Sequence, residues 1–275
     1  MPYVLLYTFL LSAAYIYLKQ IGIVDALFNY GVASLIIGLF YKIREICKKR
    51  TIPFHGILIA RGLIFGTTQI LIIMAMETGS TSHVILTSVL GLLVVGVLSK
   101  LLINEKFHMS HVFTFLTCLF SFFLFNENLT ANPYALASGI VAGITPILTR
   151  LAVKRSFSTY TILGTSTFYG GLISCLFLYF YKDLSLFSMS FSWGPFSLIL
   201  LLLILIQVAY INLLKVNTAP FFSALLLSRI PVTMLLEYLL IGEVFKNGQL
   251  IGGGLLLLGA TLPTFLTKAK KTYQH

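Results

Sequence analysis

The sequence predicts an all-α membrane protein of ten transmembrane helices, arranged as two inverted five-helix repeats. Three observations carry that prediction. Of 275 residues, 58% are hydrophobic and only 10% charged, against about 25% charged in a soluble domain. Ten continuous apolar stretches run along the chain, each near the ~20 residues that cross a bilayer as a helix. One phrase also occurs twice, 138 residues apart: LLINEKF at Leu101–Phe107 and LLIGEVF at Leu239–Phe245, identical at five of seven positions.

The stretches lie at roughly residues 3–18, 23–41, 54–76, 80–98, 110–126, 133–151, 160–181, 195–214, 219–241 and 248–267. The first is the shortest. It lacks the basic start and A-x-A-like site of a cleaved signal and is read as a mature span. None of the runs alternates with period two, as the strands of a membrane barrel do. A helix satisfies its own backbone in lipid, where water cannot. Span 2 is followed by KIREICKKR, an inner anchor. With the N-terminus inside, fourteen basic residues fall on the inner side and three, Lys19, Lys182 and Lys246, on the outer. Arg61 and Arg229 fall within spans. This asymmetry sets orientation, so the net charge of +11 reports topology and not nucleic acid. Both termini are then cytoplasmic, and the expected location is a bacterial inner membrane. Cys47, Cys118 and Cys175 suggest no disulfide framework.

The repeat extends beyond the phrase. Val94–Phe107 against Val232–Phe245 gives seven identities in fourteen. Span 3 falls on span 8, span 4 on span 9 and span 5 on span 10. The predicted units are residues 1–130 and 131–275, five spans each. Five is odd, so the second unit is inverted, an architecture that recurs in secondary transporters. Glu105 and Glu243, which close the two phrases, are each expected to cap the helix that follows, through its positive end.

Several motifs resemble a known family. RGLIFG (Arg61–Gly66), the small-residue bend ETGSTS (Glu77–Ser82) and LLINEK are similar to the first half of an EamA-like unit. SRIPVTMLLEYLLIGEVF (Ser228–Phe245) resembles its second-half signature. The chain thus resembles the drug/metabolite transporter superfamily, EamA-like branch, over nearly its whole length. The resemblance implies a solute carrier with a central cavity and no ATP hydrolysis. One departure is that Leu93 stands where the second half has Pro231.

Charges inside spans mark candidate sites. Arg229 lies near the middle of span 9, and its guanidinium suits a carboxylate or phosphate. Pro231 follows and frees a carbonyl one turn back. Gln69 on span 3 is deep and uncharged. Gln207 and Tyr210 on span 8 are three residues apart and share a face. These four are the candidate substrate contacts, with Pro146 and Pro231 as flex points. Glu237 and His83, near the outer ends of spans 9 and 4, are the candidates for proton coupling. Arg61 is expected to snorkel to inner phosphates, and Tyr15 and Tyr17 to sit at the interface. His108 and His111 lack a third ligand, so no metal is expected. No cofactor is implied, and no constellation of an enzyme is present.

The expected function is secondary transport of a small polar metabolite, amino-acid-like or nucleoside-derived, by alternating access. The cavity is expected between spans 3, 4, 8 and 9, with contributions from 1 and 6. The alternative is a non-transporting receptor or assembly subunit, for which a large extramembrane domain is the missing feature. Expected partners are the substrate and the lipid bilayer, with no nucleic acid. Glycine-rich span 10 leaves a homodimer open.

Overall fold

The computed structural model describes residues 2–47, 55–77, 79, 81–86, 88–105, 109–125, 132–182 and 193–272. Among these residues the chain is helix and loop, with no strand. The helices are α1 (Pro2–Gln20), α2 (Ile23–Cys47), α3 (Gly56–Met76), α4 (Thr81–Leu86), α5 (Ser88–Ile103), α6 (Met109–Phe125), α7 (Pro133–Ala142), α8 (Ile144–Lys154), α9 (Thr159–Lys182), α10 (Trp193–Val216), α11 (Ala219–Leu226), α12 (Arg229–Ile241) and α13 (Asn247–Thr272). Among the described residues six stretches are long and apolar enough to cross a membrane: Ile23–Cys47, Gly56–Met76, Pro133–Lys154, Thr159–Tyr181, Trp193–Val216 and Ala219–Ile241. Val4–Gln20, Leu90–Ile103 and Val112–Leu124 are shorter apolar helices.

Two predicted spans are interrupted, and proline explains both. A proline ring clashes with the carbonyl four residues back and offers that carbonyl no N–H. Pro146 therefore disturbs residue 142, and α7 ends at Ala142. Pro231 disturbs residue 227, and α11 ends at Leu226.

The packing is inverted relative to a water-soluble protein. Phe180 is 77% exposed and Leu101 72%, whereas Arg61, Gln69, Gln207, Arg229 and Glu237 are buried. Apolar residues cover the outside because lipid faces it, and polar groups turn inward to find partners. The protein is an integral membrane protein. Within the bundle, α9 packs along α2 and α3, and α13 along α6. Close approach needs glycine at the crossings: a Cβ on Gly38 would lie 2.5 Å from the Phe168 backbone, and one on Gly143 2.5 Å from the Gly91 carbonyl.

The repeated phrase proves to be a helix stop. Asn104 after α5 has φ 51° and Gly242 after α12 has φ 77°. The left-handed residue lets the next N–H turn back on the helix: Glu105 N–H donates to the Ser99 carbonyl at 3.1 Å, and Glu243 N–H to the Glu237 carbonyl at 3.3 Å. The expected capping role of the two glutamates needs correction. Glu105 Oε2 accepts the Ala219 N–H at 2.9 Å, so it caps the start of α11, a helix far along the chain. Its Oε1 pairs with Arg150 Nε at 2.8 Å. Such a distant target was available because folding brings α11 to the end of α5. Among the described residues Glu243 makes no bond to the start of α13, where Gln249 Oε1 accepts the Lys246 N–H at 2.9 Å.

Candidate functional site

A cavity of about 120 Å³ lies within the bundle, lined from α1, α2, α3, α5, α7, α8, α10, α11 and α12. Arg229, Gln69, Gln207 and Tyr210 all line it. Each reaches it for a local reason. Arg229 opens α12 directly after the proline-induced break, so it emerges where two helical segments meet. Gln69 continues a stripe on α3 that runs Phe65, Gln69, Ile72, the spacing of one helical face. Gln207 and Tyr210 sit three residues apart on α10 and share a face.

Arg61 does not snorkel. It is fully buried, with 0% exposure. Its Nε donates to Thr149 Oγ1 at 2.6 Å, its Nη1 to Ser166 Oγ and its Nη2 to Gln207 Oε1 at 3.2 Å. The Thr149 hydroxyl donates in turn to the Thr145 carbonyl at 2.8 Å and that of Ser166 to the Ile162 carbonyl. Their lone pairs are therefore free to meet the guanidinium. The Tyr210 and Phe65 rings lie 5.8 Å and 5.9 Å from its carbon, close enough for cation–π attraction. This cage, drawn from α8, α9 and α10, removes any need to reach the headgroups.

Tyr15 is also not an interface residue. It is buried on α1, and its hydroxyl accepts from Gln69 Nε2 at 3.3 Å. Tyr7, Leu11, Tyr15 and Leu18 all line the cavity, and their spacing of four, four and three residues is a helical stripe legible in the sequence. A rim of rings closes this side, with Tyr210 and Phe222 edge to face at 5.2 Å. Sequence reasoning also missed the hydroxyls of Thr145 and Ser223, two lining residues, which make no hydrogen bond among the described residues. Nothing local marked them, because only the assembled bundle determines which hydroxyls lack a partner.

Glu237 lies off the lining. It is fully buried on α12, and its Oε1 accepts the Thr81 N–H at 2.6 Å at the start of α4. His83 stands on α4, but its side chain is outside the described residues, as are those of His108 and His111. Among the described residues no group of three His, Cys, Asp or Glu stands close enough to hold a metal.

The family model for EamA-like transporters matches residues 129–265. A solved structure described only as a crystal structure of a protein superposes with a TM-score of 0.66 at 15% identity, covering 96% of this chain and 98% of its own. At that identity the likeness speaks to fold alone. No curated protein matches the sequence.

Proposed function

The chain belongs to the EamA-like transporter family, part of the drug/metabolite transporter superfamily, and on that premise we propose that it moves a small polar metabolite by alternating access. The family is one of membrane transporters of small molecules and is generally non-enzymatic. The observation that carries the reading is the cavity, where Arg229, Gln69, Gln207 and Tyr210 converge from helices distant in sequence. A concave chamber with a few convergent polar groups is the usual form of a small-molecule site.

The finer architecture is part of the same reading: ten spans, with residues 1–130 and 131–275 as inverted five-helix units. Three pairs at the 138-residue offset support it. Gln69 and Gln207 both line the cavity. Asn104 and Gly242 both stop a helix in the left-handed region. Thr81 and Ala219 both begin a helix against a glutamate carboxylate. An inverted pair of units offers two nearly equivalent arrangements around one site, which alternating access requires. The distribution of basic residues supports cytoplasmic termini, and the membrane assigned to the chain is a bacterial inner membrane. Glu237 and His83 are the groups assigned to proton coupling, since Glu237 holds the start of the short helix that carries His83. Substrates of amino-acid-like or nucleoside-derived type fit a cationic, hydrogen-bonding chamber.

The test is uptake into liposomes that carry the purified protein, from an isotope-labelled metabolite extract, with and without a pH gradient. Saturable accumulation of a subset of the extract is expected. Arg229→Ala should abolish it while the protein stays monodisperse, and unchanged kinetics in that variant would remove Arg229 from the site. A rate indifferent to the gradient would remove Glu237 and His83 from coupling.

A further inference from the structure

The chamber is off-centre along the bundle. Among the described residues its lining begins only at Phe65 on α3, ends at Val95 on α5 and ends at Tyr210 on α10. The ends of α5, α8 and α10 and the starts of α3 and α11 gather at one end of the bundle, beyond that lining.

Two layers close this end. Rings come first: Tyr7, Tyr210 and Phe222, from α1, α10 and α11, stand with centroids 5.2 to 6.1 Å apart. About one turn beyond Tyr210, the Leu214 carbonyl accepts from Arg150 at 2.7 Å. About one turn before Phe222, the Ala219 N–H donates to Glu105 at 2.9 Å. The second layer is therefore polar and lies outside the rings.

That layer is built as two halves. Glu105 is fixed to the end of α5, where its N–H donates to the Ser99 carbonyl at 3.1 Å, and its Oε2 holds the start of α11. Arg150 stands on α8, and its Nη1 holds the end of α10 through the Leu214 and Lys215 carbonyls. It directly follows Thr149, which receives Arg61, and Arg61 ties α8 to α3, α9 and α10. Two bonds join the halves: Arg150 Nε donates to Glu105 Oε1 at 2.8 Å, and Lys154 Nζ to the Ile103 carbonyl at 2.8 Å.

Glu105 and Arg150 thus each bond once within their own half and once across. Parting the halves leaves the ends of α10 and α11 still held. The Arg150 and Lys154 side chains are 18% and 42% exposed, so water reaches them and separation strands no charge in an apolar interior. Nearer the chamber, α5 crosses the α7–α8 junction backbone to backbone. A Cβ on Gly91 would lie 2.7 Å from the Gly139 carbonyl, and one on Gly143 2.5 Å from the Gly91 carbonyl. Such a close crossing supplies a pivot about which one helix tilts on the other.

Resting on the alternating-access reading above, we infer that the Glu105–Arg150 pair, backed by Lys154, is the latch of one of the two gates. It holds the chamber shut beyond the three rings. It releases by parting at that pair, while α5 tilts against α8 about the Gly91–Gly143 crossing. In the orientation drawn from the basic residues, this is the cytoplasmic gate.

Hydrogen exchange of the full chain in lipid nanodiscs, read by mass spectrometry, tests the latch. Glu105→Gln keeps an oxygen for the Ala219 N–H but sets its NH₂ against the Arg150 N–H, donor against donor. The cap survives and the bridge is lost. Loss of a hydrogen bond between charged groups should speed exchange at the ends of α5 and α8 by about tenfold. A gate carries a second signature. As one end opens the other closes, so exchange at the end of α3 and the start of α10 should slow.

Lys154→Met removes the other cross bond from a 42% exposed side chain, a change that folding tolerates. It should give the same two-sided pattern, weaker, and it decides alone if the first variant does not fold. Faster exchange at the latch end alone, or no change in the folded variants, overturns the latch. Transport still stands in that case if wild-type liposomes take up the labelled extract. Wild-type liposomes that take up nothing overturn the transporter reading, and the latch with it.

Discussion

Two helices begin against a carboxylate from a distant part of the chain. The Ala219 N–H of α11 donates to Glu105 at 2.9 Å, and the Thr81 N–H of α4 donates to Glu237 at 2.6 Å. Thr81 and Ala219 are 138 residues apart, the offset of the repeated phrase, but Glu105 and Glu237 are not. Glu105 stands just past a helix end, braced by Arg150 at 2.8 Å and Lys154 at 3.8 Å. Glu237 stands within α12 and is wholly buried. The repeat partner of Glu105 is Glu243, which caps nothing among the described residues, and the partner of Glu237 is Ser99. The helix starts match in position, while the groups that receive them come from non-equivalent positions. A carboxylate at a helix N-terminus meets both the orphan N–H and the positive end of the dipole, so either residue serves as long as the fold delivers an oxygen there.

The settings differ enough to separate the two by mutation. Glu237→Ala should have the largest effect, about 2–4 kcal/mol in SDS-titrated unfolding, because it strands the Thr81 N–H and leaves a void in packed interior. Glu237→Gln keeps an acceptor and should lose well under half of that. If the Gln variant is as damaged as the Ala variant, the carboxylate has a role beyond capping. Glu105→Ala should cost less, about 1–3 kcal/mol. Arg150 retains the Leu214 and Lys215 carbonyls at 2.7 Å and 3.1 Å, and Lys154 the Ile103 carbonyl at 2.8 Å. This second cost should shrink with added salt, because Lys154 is 42% exposed and its attraction is screened. The cost at Glu237 should not respond. Equal salt sensitivity at both sites would erase the distinction between an edge junction and an interior one.

The all-helical membrane character was legible because lipid imposes a simple rule: a crossing segment must be long, apolar and self-bonded. The interruptions at Ala142 and Leu226 were legible from Pro146 and Pro231, since a proline acts on its own helix. So were Arg229, Gln69, Gln207 and Tyr210 as lining residues, because polar atoms in an apolar span turn inward. What escaped was every feature that depends on which helix meets which. Arg61 lies on the same helical face as Phe65 and Gln69, a visible cue. Its partners Thr149, Ser166 and Gln207 come from three other helices. Without them, a cationic side chain in the inner half of a span reads as one that reaches for phosphates. Glu105 misled in the same way: its local neighbour is the helix after it, but its partner is Ala219.

Glu243 offers the smallest effect and the sharpest sign. It aligns with Glu105 but lacks that residue's cationic brace. Burial pushes its carboxyl up from the ordinary 4.5, and the nearby Glu237 pushes it further, with Lys19 opposing. A carboxyl raised in the folded protein binds its proton more tightly there than in the unfolded chain. Its contribution is then fully favourable below the ordinary carboxylate range and is lost as pH rises through the raised value. Glu243→Gln, which cannot ionise, should therefore be slightly more stable than the wild type at pH 8, within about 0.5 kcal/mol as for most surface changes. The advantage should disappear as the pH falls below 4.5. Paired thermal melts of the two proteins across that range check the sign. A wild type that instead gains on the variant as pH rises would mean that Lys19 dominates, and that Glu243 carries the same kind of ion support as its repeat partner Glu105.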